Sequence, residues 1–406
     1  MVKSSGRLTK GGRTRPVPSQ SAPPEKRSRK RLTPDEKVEI VLERFGGFKD
    51  RGKPIEISKL AKERKRDPAV ISRAIISAFC DGLVEVRKIP DLPVEPQRMS
   101  NLEAAMSEKF PQLLSAIVID AEGTSDYVHQ LLGKAMAKLI AFGTVFRDDD
   151  VICVGSGRGV YYALEPLGGL PPLRAKGVTL MSLTGTAYPR FHDKTAHLRL
   201  DADFNTNLFA RAFADEVTMR LTSHRIAYED PKLLISLKRT SCLGPDRWKS
   251  ISPAHALVGV GVLSSGHRFY DACTDPVDNT EGMLAPIHAA LTELIHLLER
   301  DKEILRDFCP VADIAHHLFY VPLPKEVDAK IPMETKEAIQ RLIAKINDQL
   351  FTVTEEQLKT IKTIMLVAGT KRKALAIKEL LLNESYNIRF LCTDRAAADE
   401  ILRSRG

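Results

Sequence analysis

The sequence predicts an α/β protein: an N-terminal winged helix-turn-helix, then a Rossmann-like domain built on a parallel sheet. Three observations predict it. Short apolar runs ending in glycine- or hydroxyl-rich loops alternate with amphipathic helical segments, the pattern of a wound parallel sheet. Two short, capped apolar segments within residues 57–79 are spaced as a helix-turn-helix. The excess positive charge sits at one end of the chain, beside that helix pair.

Residues 1–32 carry ten Lys/Arg and one acid, Glu25, a net charge equal to the +9 of the whole chain, so residues 33–406 balance to zero. A pI near 9 therefore describes a tail. Residues 1–31, rich in Gly, Ser, Pro and basic side chains, have little to bury and are expected to be disordered. They are either a solvated tail or an arm that neutralises DNA phosphates. The tail is Arg-rich and acid-poor, as transit peptides are, but lacks their amphipathic apolar face. At 406 residues, 43% hydrophobic and 28% charged, the chain is long enough for two or three globular domains. No apolar run approaches the roughly 18 residues of a membrane span. The first residues lack a signal peptide's apolar core, so a cytoplasmic protein is expected. Cysteines 80, 153, 242, 273, 309 and 392 show no C-x-x-C and no finger spacing, which predicts reduced, buried thiols and no metal site.

Thr33, Pro34 and Glu36 form a capping box opening a helix whose apolar face is Val38, Val41, Leu42 and Phe45, ended by Gly46-Gly47. Residues 57–86 predict helices at 58–63 and 68–79, joined at 64–67, with Asp67 as cap and Pro68 at the first helical position. Leu60, Ala61, Val70, Ile71, Ala74 and Ile75 form the inner face, and residues 83–86 return as a wing strand after Gly82. The outer face of the second helix offers Arg66, Ala69, Ser72 and Arg73, small or basic side chains suited to a major groove. An ordinary αα-hairpin would share the helix pair, but not the caps, wing and basic neighbours together.

The two prolines of residues 91–97, Pro93 and Pro96, mark a linker. A helix at 101–110 and a strand at 116–120 follow, then a long helix at 125–142 with Val128, Leu131, Leu132, Ala135, Met136 and Leu139 on one face. The central stretch is residues 148–164: an apolar strand at 151–154, the loop Gly155-Ser156-Gly157-Arg158-Gly159, and a helix start. Such a loop lets backbone approach a ligand and aims free N–H groups at it, although many tight strand-to-helix turns also use glycine. Strands recur at 178–183, 256–262, 363–368 and 388–392. They run into Thr184-Gly185-Thr186, Ser264-Ser265-Gly266, Gly369-Thr370-Lys371-Arg372-Lys373 and Thr393-Asp394. In parallel sheets ligands bind outside the carboxyl ends of the strands, where these loops would gather. Residues 281–308 predict a long amphipathic helical segment.

Several chemistries are excluded. The glycines run G-x-G-x-G, and the next strand ends without an acid to hold a ribose, so a dinucleotide site does not fit. No Walker loop occurs, and histidines 288, 296, 316 and 317 match no metal spacing. The 154–158 stretch is not a nucleophile elbow, since no His or Asp stands at a recognisable relation to Ser156. There remains a polar, partly basic pocket suited to a hydroxylated or phosphorylated small molecule, with no cofactor.

A helix-turn-helix followed by such a domain resembles the SorC/DeoR-type sugar-binding transcriptional regulators. The likeness runs from residue 57 to 402 through VISRAIISAFCDGLVEV (70–86), NLEAAMSEKF (101–110), VICVGSGRGVYYAL (151–164), LMSLTGT (180–186), AHALVGVGV (254–262), PVADIAHHLF (310–319), INDQL (346–350), VAGTKRKALAI (367–377) and TDRAAADEIL (393–402). It implies a large domain with the fold of sugar-phosphate isomerases and coenzyme A transferases, acting as a non-catalytic sensor in a bacterial regulator, often tetrameric. The domains would be a basic tail (1–31), a DNA-binding domain (32–90), a linker (91–100) and an effector domain (101–406). The ligand positions would be Gly155, Ser156, Gly157, Arg158, Gly159, Thr184, Gly185, Thr186, Gly261, Asp313, Lys373 and Asp394. The partners would be double-stranded operator DNA, a sugar, polyol or sugar-phosphate effector, and further copies of the chain. Three departures stand out: Gly159 replaces a threonine that helps hold phosphate, Pro68-Ala69 replace an Arg-Pro pair opening the recognition helix, and Ala312 replaces the glycine before Asp313. The first places a free sugar or polyol beside a phosphosugar as the expected effector. The alternative is a sugar-phosphate isomerase with an accessory DNA-binding domain; a constitutive architectural DNA binder would need no pocket.

Overall fold

A computed structural model of the chain describes residues 32–33, 36–37, 40, 56–80 (backbone only from 76), 97–121, 123–185, 201–264, 269–270, 284–301, 303, 305 and 308–403. The basic tail, the wing, most of the linker and Thr186 lie outside these residues. Contacts divide the chain into two units, Met1–Ile89 and Pro90–Gly406.

In the first unit, Thr33 and Glu36 form the capping box read from sequence: Thr33 N–H donates to Glu36 Oε2 at 2.7 Å and Glu36 N–H to Thr33 Oγ1 at 3.2 Å. Helix α1 (Ile57–Glu63) ends with Lys65 in the left-handed region, φ 50°. Lys65 N–H donates to the Lys62 carbonyl and Arg66 N–H to that of Ala61, the reciprocal pair of a Schellman stop, made here without glycine. Asp67 Oδ1 then accepts from Ala69 N–H at 2.7 Å and starts α2 (Pro68–Cys80). Ile40, Leu60, Ala61, Ile71, Ala74 and Ile75 close a small core. Arg66, Ala69 and Arg73 are exposed and Ser72 half-buried, so the face expected to meet DNA faces solvent. Arg73 Nε donates to the Ala69 carbonyl at 3.1 Å.

The second unit is a parallel sheet wound with helices on both faces. In chain order it runs α3 (Ser100–Lys109), β1 (Ser115–Ile119), α4 (Ser125–Phe142), β2 (Val151–Val154), α5 (Arg158–Leu164), β3 (Thr179–Ser182), α6 (Ala202–Ala210), β4 (Thr218–Arg220) and β5 (His255–Val262). It continues through α7 (Ala285–Arg300), β6 (Val311–Ile314), β7 (His317–Tyr320), α8 (Met333–Asn347), β8 (Thr363–Val367), α9 (Ala374–Leu382), β9 (Ile388–Asp394) and α10 (Arg395–Arg403). The strand order is β1-β9-β8-β5-β2-β3-β4, every neighbouring pair parallel. The outer half of β5 also carries the antiparallel hairpin β6–β7, with Gly261 opposite Asp313.

The two-residue period of the strands divides the core. Ile364 and Leu366 of β8 join one apolar layer and Met365 and Val367 the other; in β5, Val258 and Leu257 divide likewise. One layer is closed by Val128, Leu132 and Met136 of α4, Val160 of α5 and Phe209 of α6; the other by Met106 of α3, Leu291 of α7, Ile339 of α8, Leu380 of α9 and Ile401 of α10. The helical segment expected over 281–308 is shorter, Ala285–Arg300. The β6–β7 hairpin carries no sequence signal: its turn is Ala315-His316 and lacks the Asn-Gly or Asp-Gly signature of tight hairpins.

Candidate functional site at the strand ends

After β2 the chain moves outward to β3 and β4, returns to β5 beside β2, and continues in the other direction through β8 and β9. The strand order thus reverses between β2 and β5, where the carboxyl-terminal crevice of an open parallel sheet lies. The loops after β2 and β8 and the β6–β7 hairpin carried by β5 gather there.

The loop after β2 is pinned from two sides. Gly155 N–H donates to the Leu257 carbonyl at 2.9 Å, and the Gly155 carbonyl accepts from Asn205 Nδ2 at 3.0 Å. Asn205 is fully buried, and its Oδ1 has no hydrogen-bond partner among the described residues. Gly157 turns the chain into α5 at φ 101°, a conformation costly for any other residue. Gly159 faces strand β8: a Cβ there would lie 2.9 Å from the Val367 carbonyl oxygen. The absence of a side chain at 159 is therefore a packing requirement of α5 against the sheet. Packing thus gives a reason for glycine at 159 that is independent of whether the ligand carries a phosphate.

Ser156 Oγ lies 2.7 Å from His316 Nε2. Ala315 and His316 form the β6–β7 turn with φ of 50° and 64°, left-handed backbone without a glycine. Such positions cost on the order of 1–3 kcal/mol each and persist where the surroundings over-determine them. Here Thr352 Oγ1 donates to the Ala315 carbonyl at 2.5 Å and Asp313 Oδ2 accepts from His316 N–H at 3.0 Å. The His316 ring stacks on Phe269 at 5.2 Å. Asp313 Oδ2 also stands 3.7 Å from His316 Nδ1. No His or Asp stands at a recognisable sequence relation to Ser156; the fold brings His316 to it from 160 residues downstream.

Across the crevice, Thr370 at φ 83° is a second strained residue, held where its N–H donates to the buried Asp394 carboxylate. Asp394 also accepts from Ala397 N–H at 2.8 Å; burial raises its pKa, and these bonds and Lys373 oppose the rise. One turn of 3-10 helix (Lys371–Lys373) brings Lys373 Nζ to 3.2 Å from His129 Nε2 on α4. His129 Nδ1 faces the Ser125 carbonyl at 2.6 Å, which fixes the ring proton there and leaves Nε2 to accept. Burial, aided by the Lys373 and Arg158 cations, holds the His129 imidazole down to about 3. Burial also brings the Lys373 ammonium down to about 8; Asp313 and Asp394 oppose that shift and Arg158 adds to it. Arg158 pairs with Asp126 at 3.2 Å, and Asp126 accepts from Tyr162 O–H at 3.3 Å.

Of the positions implied by resemblance, Gly155, Ser156, Gly157, Arg158, Asp313, Lys373 and Asp394 line or abut this crevice. Thr184 and Gly185 do not face it directly: Thr184 bridges to Thr352, and Gly185 N–H donates to the Phe351 carbonyl. Gly261 enters only as the partner of Asp313 in the hairpin. Sequence reasoning missed His129, His316, Asn205 and Asp126. His129 alone left a trace, a polar residue beside Val128 in an otherwise apolar stripe. No group of three or more His, Cys, Asp or Glu among the described residues could hold a metal.

The domain belongs to the class of wound parallel sheets that carry a polar cluster at the switch point. Solved structures of the same fold include a domain assigned as sugar-binding in a transcriptional repressor from Vibrio fischeri, with 16% identity over 75% of this chain and 98% of that one, TM-score 0.50. A protein from Shigella flexneri described as a probable sor operon regulator is similar at 16% identity, 75% and 99% coverage and TM-score 0.50. A transcriptional regulator from Streptococcus pneumoniae is similar at 19% identity, 75% and 96% coverage and TM-score 0.51. No family model and no curated protein matches in sequence. At these identities the likeness is one of fold.

Proposed function

We propose that the chain is a DNA-binding transcriptional regulator of the SorC/DeoR type, working as a homo-oligomer in the cytoplasm and not as a sugar-phosphate isomerase. A sugar, polyol or sugar phosphate held at the switch-point crevice sets its operator affinity. The observation carrying this is the convergence on one sheet edge of Ser156, Arg158, Asp313, Lys373 and Asp394, on a chain whose N-terminal unit is a capped helix-turn-helix with an exposed basic outer face. Arg158 and Lys373 supply charge for an anionic or strongly polar ligand, and Ser156 with Asp313 supplies groups for hydroxyls. Arg66, Ala69, Ser72 and Arg73 are the residues proposed to enter the major groove.

An isomerase needs a base free to take a proton from carbon. Asp313 and Asp394, the acids nearest the loops, already accept backbone N–H groups. Operator fragments selected from random DNA, titrated by fluorescence anisotropy against a panel of sugars, polyols and their phosphates, test the regulator. Isomerase turnover is followed on the same panel. A ligand-dependent change in DNA affinity without turnover is expected. Turnover with DNA binding indifferent to every ligand would overturn the proposal.

A further inference from the structure

Ser156, His316 and Asp313 have a geometry that sensing does not require. A hydroxyl in a glycine-flanked turn after a strand lies 2.7 Å from an imidazole nitrogen, and the other ring nitrogen faces a buried carboxylate at 3.7 Å. The imidazole is held there against its backbone preference, by the strained Ala315-His316 turn and by the ring of Phe269. Strain of this kind clusters where a side chain must be aimed.

We propose that Ser156, His316 and Asp313 form an acyl-transfer centre that hydrolyses short-chain carboxylic esters, an activity separate from regulation of DNA binding. With the ring proton on Nδ1 facing Asp313, the Nε2 lone pair accepts the Ser156 hydroxyl proton as Oγ bonds to the ester carbonyl carbon. The tetrahedral adduct collapses by breaking the ester C–O bond, and the departing alkoxide takes the proton from Nε2. Water then attacks acyl-Ser156, giving a proton to Nε2. That proton returns to Oγ as the carboxylic acid leaves, so atoms and charge balance and water is the only co-reactant. Asp313 positions the ring and stabilises its cationic form. At 3.7 Å the carboxylate acts on the ring through its charge, not through a hydrogen bond. Next to the nucleophile, among the described residues, nothing stands within 4 Å of where a side chain at Gly157 would begin.

The test uses the intact chain with a fluorophosphonate probe, followed by peptide mass mapping, and with p-nitrophenyl acetate. Phosphonylation is expected at Ser156, absent in Ser156→Ala, with a burst of p-nitrophenol of about one equivalent. His316→Asn, which tolerates left-handed backbone, should label about a hundredfold more slowly and lose the rise of labelling rate with pH through the imidazole range. His316→Gly, which relieves the turn strain, provides a second folded variant with the same loss. An unlabelled Ser156 in a chain that melts cooperatively, or labelling at unchanged rate in both His316 variants, would overturn the proposal.

Discussion

Replacing Gly159 by threonine distinguishes a packing glycine from a vacated ligand position. In α5 a Cβ at this site would stand 2.9 Å from the Val367 carbonyl oxygen, closer than real side chains approach backbone. Val367 cannot yield, because β8 is paired on both sides, to Gly259 of β5 and to Cys392 of β9. The helix must therefore lift, and overpacking of this kind costs about 1–3 kcal/mol. The buried hydroxyl adds about 1–3 kcal/mol unless it finds a partner. The gain from removing a helical glycine offsets about 0.5–1 kcal/mol. A net loss of about 1–5 kcal/mol follows, and with it a fall in melting temperature of about 2–10 °C. Lifting α5 also displaces the turn that carries Ser156, so effector affinity should drop for phosphorylated and free sugars alike. Thermal denaturation and calorimetric titration of Gly159→Thr measure both. An unchanged melting temperature with tighter binding of a phosphorylated ligand would refute the packing argument and restore Gly159 as an absent phosphate-binding hydroxyl.

Two further outcomes are expected. Arg73→Ala should fold normally, since the side chain is exposed, yet lose about 1–3 kcal/mol of operator affinity if it pairs with guanine; unchanged footprinting would remove α2 from the groove. His129, held neutral with its pKa down to about 3, makes folding sensitive to acid. The unfolded chain takes up a proton below about pH 6.5 that the folded chain refuses, so stability is full above that pH and falls as pH drops towards 3, by about 1.4 kcal/mol per unit. Urea denaturation at pH 7 and pH 5 should show about 2 kcal/mol more loss in the wild type than in His129→Gln, and equal losses would place the proton elsewhere.

Strands with loops at their carboxyl ends were legible because burial on both faces forces continuous apolar runs and because glycine and hydroxyl residues end them. The helix pair at 57–80 was legible through Asp67, and the helix before it through Thr33 and Glu36, whose capping bonds form as read. The crevice was only half legible. Lys373 and Ser156 announce themselves by following strands, but His316 reaches Ser156 through a hairpin whose turn residues carry no turn signal, and His129 reaches Lys373 from a helix that otherwise reads as core. Strand order made these contacts, and strand order is not written in any local pattern. At Gly159 the sequence shows only a missing hydroxyl, whereas three dimensions show a helix pressed against a strand.

The most direct measurement is operator affinity of the full chain, by fluorescence anisotropy, with and without a saturating effector, in wild type and Lys373→Ala. Lys373 is the cation that links the β8 loop to α4 through His129, and it lies beside Asp313 and Asp394. If the crevice is the effector site, Lys373→Ala binds operator like wild type without ligand and no longer responds to it. For an anionic effector, the wild-type response should also fade as pH rises through about 8, where the ammonium loses its proton. A variant that answers the effector with undiminished affinity and the same shift in DNA binding would put the site elsewhere and contradict the assignment.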